Sequence, residues 1–146
     1  MNKVELEDKF NWWITCIPDK ISFLKDYFQK VNIDLDYSLN SLDELENYVV
    51  NTFSIQDLLT NYTDLYDAVA SYLGCVYKIN INISKWYIEL DDTKYAYFNK
   101  PELIVEKLTR FQPHSYIDVA IDRKRLNIWS SVIKKHIFYI KENVKK

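Results

Sequence analysis

Apolar residues recur at helical spacing through the first half of the chain, and near Ile79 that spacing gives way to alternation. The first apolar segment, Phe10 to Ile17, holds Trp12 and Trp13 side by side. Helical neighbours point about 100° apart, so both rings can share one broad apolar face. Pro18 stops or restarts the chain, and a helix fits Asp19 to Lys30 with Ile21, Leu24, Tyr27 and Phe28 on one side. Val31 to Tyr37 then alternates apolar and polar strictly, the pattern of a half-buried strand or extended arm. Ser41-Leu42-Asp43-Glu44 reads as a capping box, with the Ser41 hydroxyl accepting from the Glu44 amide and the Glu44 carboxylate reaching back. It predicts a helix from Leu42 that buries Leu42, Leu45, Val49 and Phe53. A further helix is predicted from Tyr62 to Tyr77, with Leu65, Val69, Tyr72, Leu73 and Val76 as its apolar stripe. Gly74 inside it costs about 1 kcal/mol relative to alanine. That cost points to another backbone passing close beside Gly74 and Ala70, or else to a hinge.

Lys85 to Leu90 and Tyr95 to Phe98 alternate around the turn Asp91-Asp92-Thr93-Lys94, which predicts a hairpin. Ile79 to Ile83 and Tyr116 to Ile121 offer further short strands, and Leu103 to Phe111 a short helix or loop that Pro113 ends. The last helix is predicted over Arg123 to Asn143, burying Leu126, Trp129, Ile133, Ile137 and Ile140. The expected fold is α+β in a single domain, residues 1–146: N-terminal helices, a small mostly antiparallel sheet with a hairpin near 85–98, and a long C-terminal helix.

Charge changes this picture more than composition does. Between Val31 and Tyr77 there is no lysine or arginine and there are eight acids: Asp34, Asp36, Asp43, Glu44, Glu46, Asp57, Asp64 and Asp67. From Arg123 onward eight basic residues face one acid, Glu142, although the whole chain carries a net charge of only −2. Such asymmetry points to a charged partner or to one half of the fold docking on the other. Arg123-Lys124-Arg125 and Lys134-Lys135 invite a nucleic-acid reading, but the acids elsewhere repel phosphate, and the cations of the final turn (Lys141, Lys145, Lys146) complement the helix dipole without a partner. Nucleic acid is therefore disfavoured.

The chemistry of a catalyst is hard to find. A single glycine excludes a Walker loop and a dinucleotide fingerprint. Cys16 and Cys75 have neither disulfide-framework nor metal-knuckle spacing and read as small buried thiols. His136 reads as a surface or edge residue, whereas His114, following Pro113 in a loop, is the better functional candidate. On a strand Asp34 and Asp36 would face the same way, as an acid/base pair or a divalent-cation site, or simply as a solvated edge that deters aggregation. No cofactor is expected. The N-terminus lacks the apolar run of a signal peptide, and no uncharged stretch approaches the roughly 20 residues of a membrane span, so a cytoplasmic location is expected.

Three motifs in order carry a family resemblance. Asp34-Leu35-Asp36-Tyr37-Ser38 leading to Ser41-Leu42, then Ala70-Ser71-Tyr72-Leu73-Gly74-Cys75-Val76, then Trp86, resemble the "LDYSxxSL…AxYLG…W" order of a group of small bacterial proteins of unknown function. The resemblance runs from about Ile21 to Pro113. The chain departs from the group at Cys75, where an acid is common, and in lacking glycines ahead of Trp86. The group is similar in general character to the neighbours of toxin and immunity genes, and it implies no catalytic residue.

The leading expectation is a protein-binding protein of the immunity kind. It would neutralise a basic toxin, such as a nuclease, through an acidic face formed by the eight acids, with Tyr37 and Tyr62 as aromatic anchors. The alternatives are a hydrolase or metal-dependent enzyme using Asp34, Asp36 and His114, and a subunit whose acidic face meets the basic helix of a second copy.

Overall fold

The computed structural model describes residues 1–144, so Lys145 and Lys146, expected in the last helical turn, lie outside the described residues. The helices expected from 3.6-residue spacing are present as α1 Lys3–Thr15, α2 Ile17–Gln29, α3 Leu39–Thr52 and α5 Thr63–Asn80, and the structure adds a short helix that the spacing did not predict, α4 Ile55–Asn61. Pro18 starts α2 from its first turn, where its missing N–H is harmless. The fold is α+β, completed by strands β1 Lys85–Tyr87, β2 Glu102–Val105 and β3 Thr109–Phe111 and by helices α6 Pro113–Arg123 and α7 Ile128–Val144. The strands form one antiparallel sheet in the order β1-β2-β3. Among the described residues no helix is long and apolar enough to cross a membrane.

Helix α5 is the axis of the core. Its predicted stripe, Leu65, Val69, Tyr72, Leu73 and Val76, is buried, and α2, α4, α6, α7 and β2 pack around it. Gly74 is needed there because a Cβ would sit 2.2 Å from a ring carbon of Trp86. The close neighbour is thus an indole from β1, not the backbone that the glycine suggested. Of the adjacent tryptophans, Trp13 packs edge-on against Trp86 at 5.1 Å between centroids, while Trp12 points outward, 68% exposed.

Four expectations are corrected. Residues 31–37 form a loop, because they lie between α2 and α3 with no strand to pair with; the alternation survives only as buried Leu35 between half-buried Ile33 and Tyr37. Helix α3 is capped by Ser38, whose Oγ accepts from the Ser41 amide at 3.0 Å, so the predicted cap Ser41 lies inside the first turn. There its hydroxyl donates to the Ser38 carbonyl at 2.7 Å and meets the Tyr72 hydroxyl at 2.6 Å. No hairpin forms over 85–98. Residues 91–100 are a run of tight turns, in which Glu89 accepts from the amides of Asp91 and Asp92 at 3.0 and 3.2 Å.

Strand β1 pairs instead with β2 (Trp86 opposite Leu103), and the hairpin is β2–β3, turned by a short loop with Lys107 in the left-handed region at φ 64°. Every residue of β2 is buried, which erases the alternation by which a strand is recognised in sequence. Lastly, Pro113 starts a helix instead of ending one, the segment 116–121 is helical, and the chain breaks at left-handed Lys124 before α7 begins. Leu126, expected in the core, is therefore exposed in the connecting turn.

Candidate functional site

The most concentrated polar chemistry lies where α1, α2, α5 and α6 meet. Asp67 of α5 accepts from Trp13 Nε1 at 3.0 and 3.1 Å, lies 2.8 Å from Lys20 Nζ and 2.9 Å from His114 Nε2. Lys20 also lies over the Trp13 ring, 4.2 Å from its centroid. Burial pushes the Asp67 carboxyl up, but the hydrogen bonds from His114, Lys20 and Trp13 outweigh it and hold the group well below the usual carboxylate range. Beside it the Tyr66 hydroxyl donates to Asp118 Oδ1 at 2.9 Å; burial, then the Asp118 charge, push that hydroxyl up.

Asp67 and His114 open on a cleft of about 400 Å³ with Phe10, Ile88 and Pro101. A histidine oriented by a carboxylate is the geometry of a general base. Against that, Asp67 is also engaged by Trp13 and Lys20, and no serine, threonine or cysteine is among the described residues lining the cleft. The arrangement fits a polar tie between four helices.

The acidic block divides into three fates. Glu46 is fully buried and accepts from the amides of Ile128 and Trp129 at 2.9 and 3.0 Å, capping α7. Burial raises its pKa, the amide hydrogen bonds pulling the other way. Asp43, one turn earlier on α3, accepts from Ser130 Oγ at 2.6 Å. Glu46 is thus no surface anchor, Asp43 is half-buried and engaged, and Asp67 belongs to the cluster above. Asp34, Asp36, Glu44 and Asp64 remain exposed and Asp57 half-exposed. Asp36 accepts from the amide and hydroxyl of Ser38 at 3.0 and 2.6 Å, which lower its pKa. Of the expected anchors, Tyr62 is exposed, its ring 5.0 Å from that of Phe53. Tyr37 is half-buried on Tyr72 and donates its amide to the Tyr72 hydroxyl at 2.8 Å. The eight acids therefore do not form one continuous field.

Nor does the basic segment neutralise them. Among the described residues no ion pair joins residues 31–77 to residues 123–144. The two segments meet through backbone amides, Ser130 and the Tyr77–His136 contact instead of through ion pairs.

The structure also separates the groups of the enzyme alternative. His114 is bound to Asp67, not to Asp34 or Asp36, and among the described residues no three His, Cys, Asp or Glu side chains converge as a metal would need. Cys16 and Cys75 are free and half-buried, and burial pushes the Cys75 thiol up, away from reactivity. His136, expected at the surface, is half-buried with Nδ1 2.7 Å from the Tyr77 hydroxyl, and burial lowers its pKa.

Sequence reasoning missed Glu102. It is fully buried on the central strand, where Tyr95 and Gln112 donate to one oxygen at 2.8 and 2.6 Å and Arg110 lies 3.3 Å from the other. Its only signal was an acid after Pro101 within an apolar run. No family model, curated protein or solved structure matches the chain.

Proposed function

We propose that this chain is a cytoplasmic binding protein of the bacterial immunity type. It docks a basic protein, such as a nuclease toxin, through the acids that the fold leaves exposed or half-exposed, Asp34, Asp36, Glu44, Asp57 and Asp64, with exposed Tyr62 as an apolar anchor. The observation that supports this reading is the absence, among the described residues, of any ion pair between the acidic and basic segments. Surface carboxylates steer a cationic partner, and an exposed aromatic ring adds contact area once it arrives. The immunity character rests on the motif order around Tyr37, Tyr72 and Trp86.

The test is co-expression with the product of the adjacent gene, if that product is toxic. The wild-type chain should restore growth, and the triple variant Asp34→Lys, Asp36→Lys, Glu44→Lys should not, while keeping its melting transition. Undiminished rescue by the folded triple variant overturns the acidic-face reading.

A further inference from the structure

The connection between α6 and α7 encloses a groove of about 630 Å³, bordered by Arg123, Arg125 and Lys135 and walled in part by Ser115, Asn127 and Ser131. No aspartate or glutamate lines it. All three cations are exposed, and none forms an ion pair among the described residues. Asp122, next to Arg123 in sequence, is exposed but not part of the lining.

The walls are held in place. The indole N–H of fully buried Trp129 donates to the Tyr116 carbonyl at 2.9 Å, joining α7 to α6, and Gln112 is fastened to Glu102 at 2.6 Å. The amides of Ile128 and Trp129 offer nothing to a ligand, because Glu46 already accepts from both.

Three like charges around one concavity repel one another, and a multiply charged anion relieves that repulsion better than a single carboxylate does. Guanidinium forks match phosphate oxygens bidentately, and the serine hydroxyls and Asn127 amide supply neutral donors. The groove also presents Tyr97 and Tyr116 to a planar ring, and its volume suits a small ligand. We infer that the α6–α7 groove binds a phosphate-bearing ligand of nucleotide size, with its phosphates on Arg123, Arg125 and Lys135 and its ring against Tyr97 or Tyr116. This goes beyond the acidic-face reading and does not rest on it.

Calorimetric titration of the full chain at low salt tests it, with ATP, inorganic triphosphate, a hexaglutamate peptide and a short single-stranded oligonucleotide as probes. ATP should bind saturably, one per chain, and several-fold more tightly than triphosphate. Arg125→Gln and Lys135→Gln should each weaken ATP at least about tenfold. Lys94→Gln and Lys141→Gln, which remove equal charge elsewhere, should change it less than about twofold. Absence of saturable binding, or equal losses in the control variants, overturns the site. Hexaglutamate binding as tightly as ATP reassigns the surface to an acidic polypeptide, and an oligonucleotide binding more than tenfold tighter reassigns it to nucleic acid; either result overturns the nucleotide-sized ligand.

Discussion

The acidic segment, residues 31–77, holds eight acids and no base, and the basic segment, residues 123–144, six bases and one acid, yet the fold treats the two differently. It takes Glu46, Asp43 and Asp67 into hydrogen-bonded positions, and it leaves Arg123, Arg125, Lys134 and Lys135 exposed, with no ion pair among the described residues. The difference follows from what each group can accept or donate. A short carboxylate satisfies the orphan amides that begin every helix, as Glu46 does for α7. A long cation gains little from burial, because its charge stays hydrated at the end of a flexible stem. Counting charges along a chain therefore overstates an acidic surface more readily than a basic one.

Within the acidic segment, Glu46 and Asp67 sharpen the contrast. The first faces backbone amides and is pushed up by burial; the second, also penalised by burial, is held well below the usual range by hydrogen bonds from the His114, Lys20 and Trp13 side chains. The largest effect is expected at Glu46→Ala, which orphans two buried amides and should cost about 3 kcal/mol in denaturant unfolding. If that variant proves as stable as wild type, the cap is ornamental and the comparison fails. Asp67→Asn keeps the shape but strands Lys20 beside a neutral amide, and a loss of about 2 kcal/mol is expected from the same measurement.

The pH dependence separates the two carboxylates by sign. Asp67, depressed in the folded state, contributes stability above its unfolded pKa of about 4, and that contribution drains away as pH falls. Glu46, raised in the folded state, contributes stability below its unfolded pKa and loses it as pH rises through the folded value. Unfolding free energies from pH 3 to 6 should therefore fall less steeply toward acid in Asp67→Asn and more steeply in Glu46→Gln; parallel curves would remove the distinction. Smaller still, Ser130→Ala should cost about 1 kcal/mol through the lost bond to Asp43. Smallest of all, Lys134→Gln should stay within about 0.5 kcal/mol of wild type, as expected for an exposed surface cation.

Legibility followed the range of the forces involved. The apolar faces of α2, α3 and α5 could be read because a helix repeats its pattern within one segment; Ile21, Leu24, Leu42, Leu45, Val69 and Leu73 are all buried as their spacing predicts. Strand β2 could not, since a strand buried on both faces has no alternation, and the aromatic alternation at 95–98 belonged to turns. Ser41 was misread as a cap because Ser38, three residues earlier, offers the same hydroxyl at a better place. In the candidate site, His114 was singled out on its own, but its partner Asp67 lies 47 positions away, and nothing in either local pattern pairs them.

What the chain alone determined is local: where α2, α3 and α5 run, which of their faces are apolar, and that charge is polarised from the middle to the end. Only the tertiary structure decided where that charge goes. The bonds from Glu46 to Trp129 and from Asp67 to His114 close loops of 83 and 47 residues, and no short-range propensity encodes such closures. They form because a buried carboxylate must find donors, and packing around α5 brings the first turns of α7 and α6 within reach.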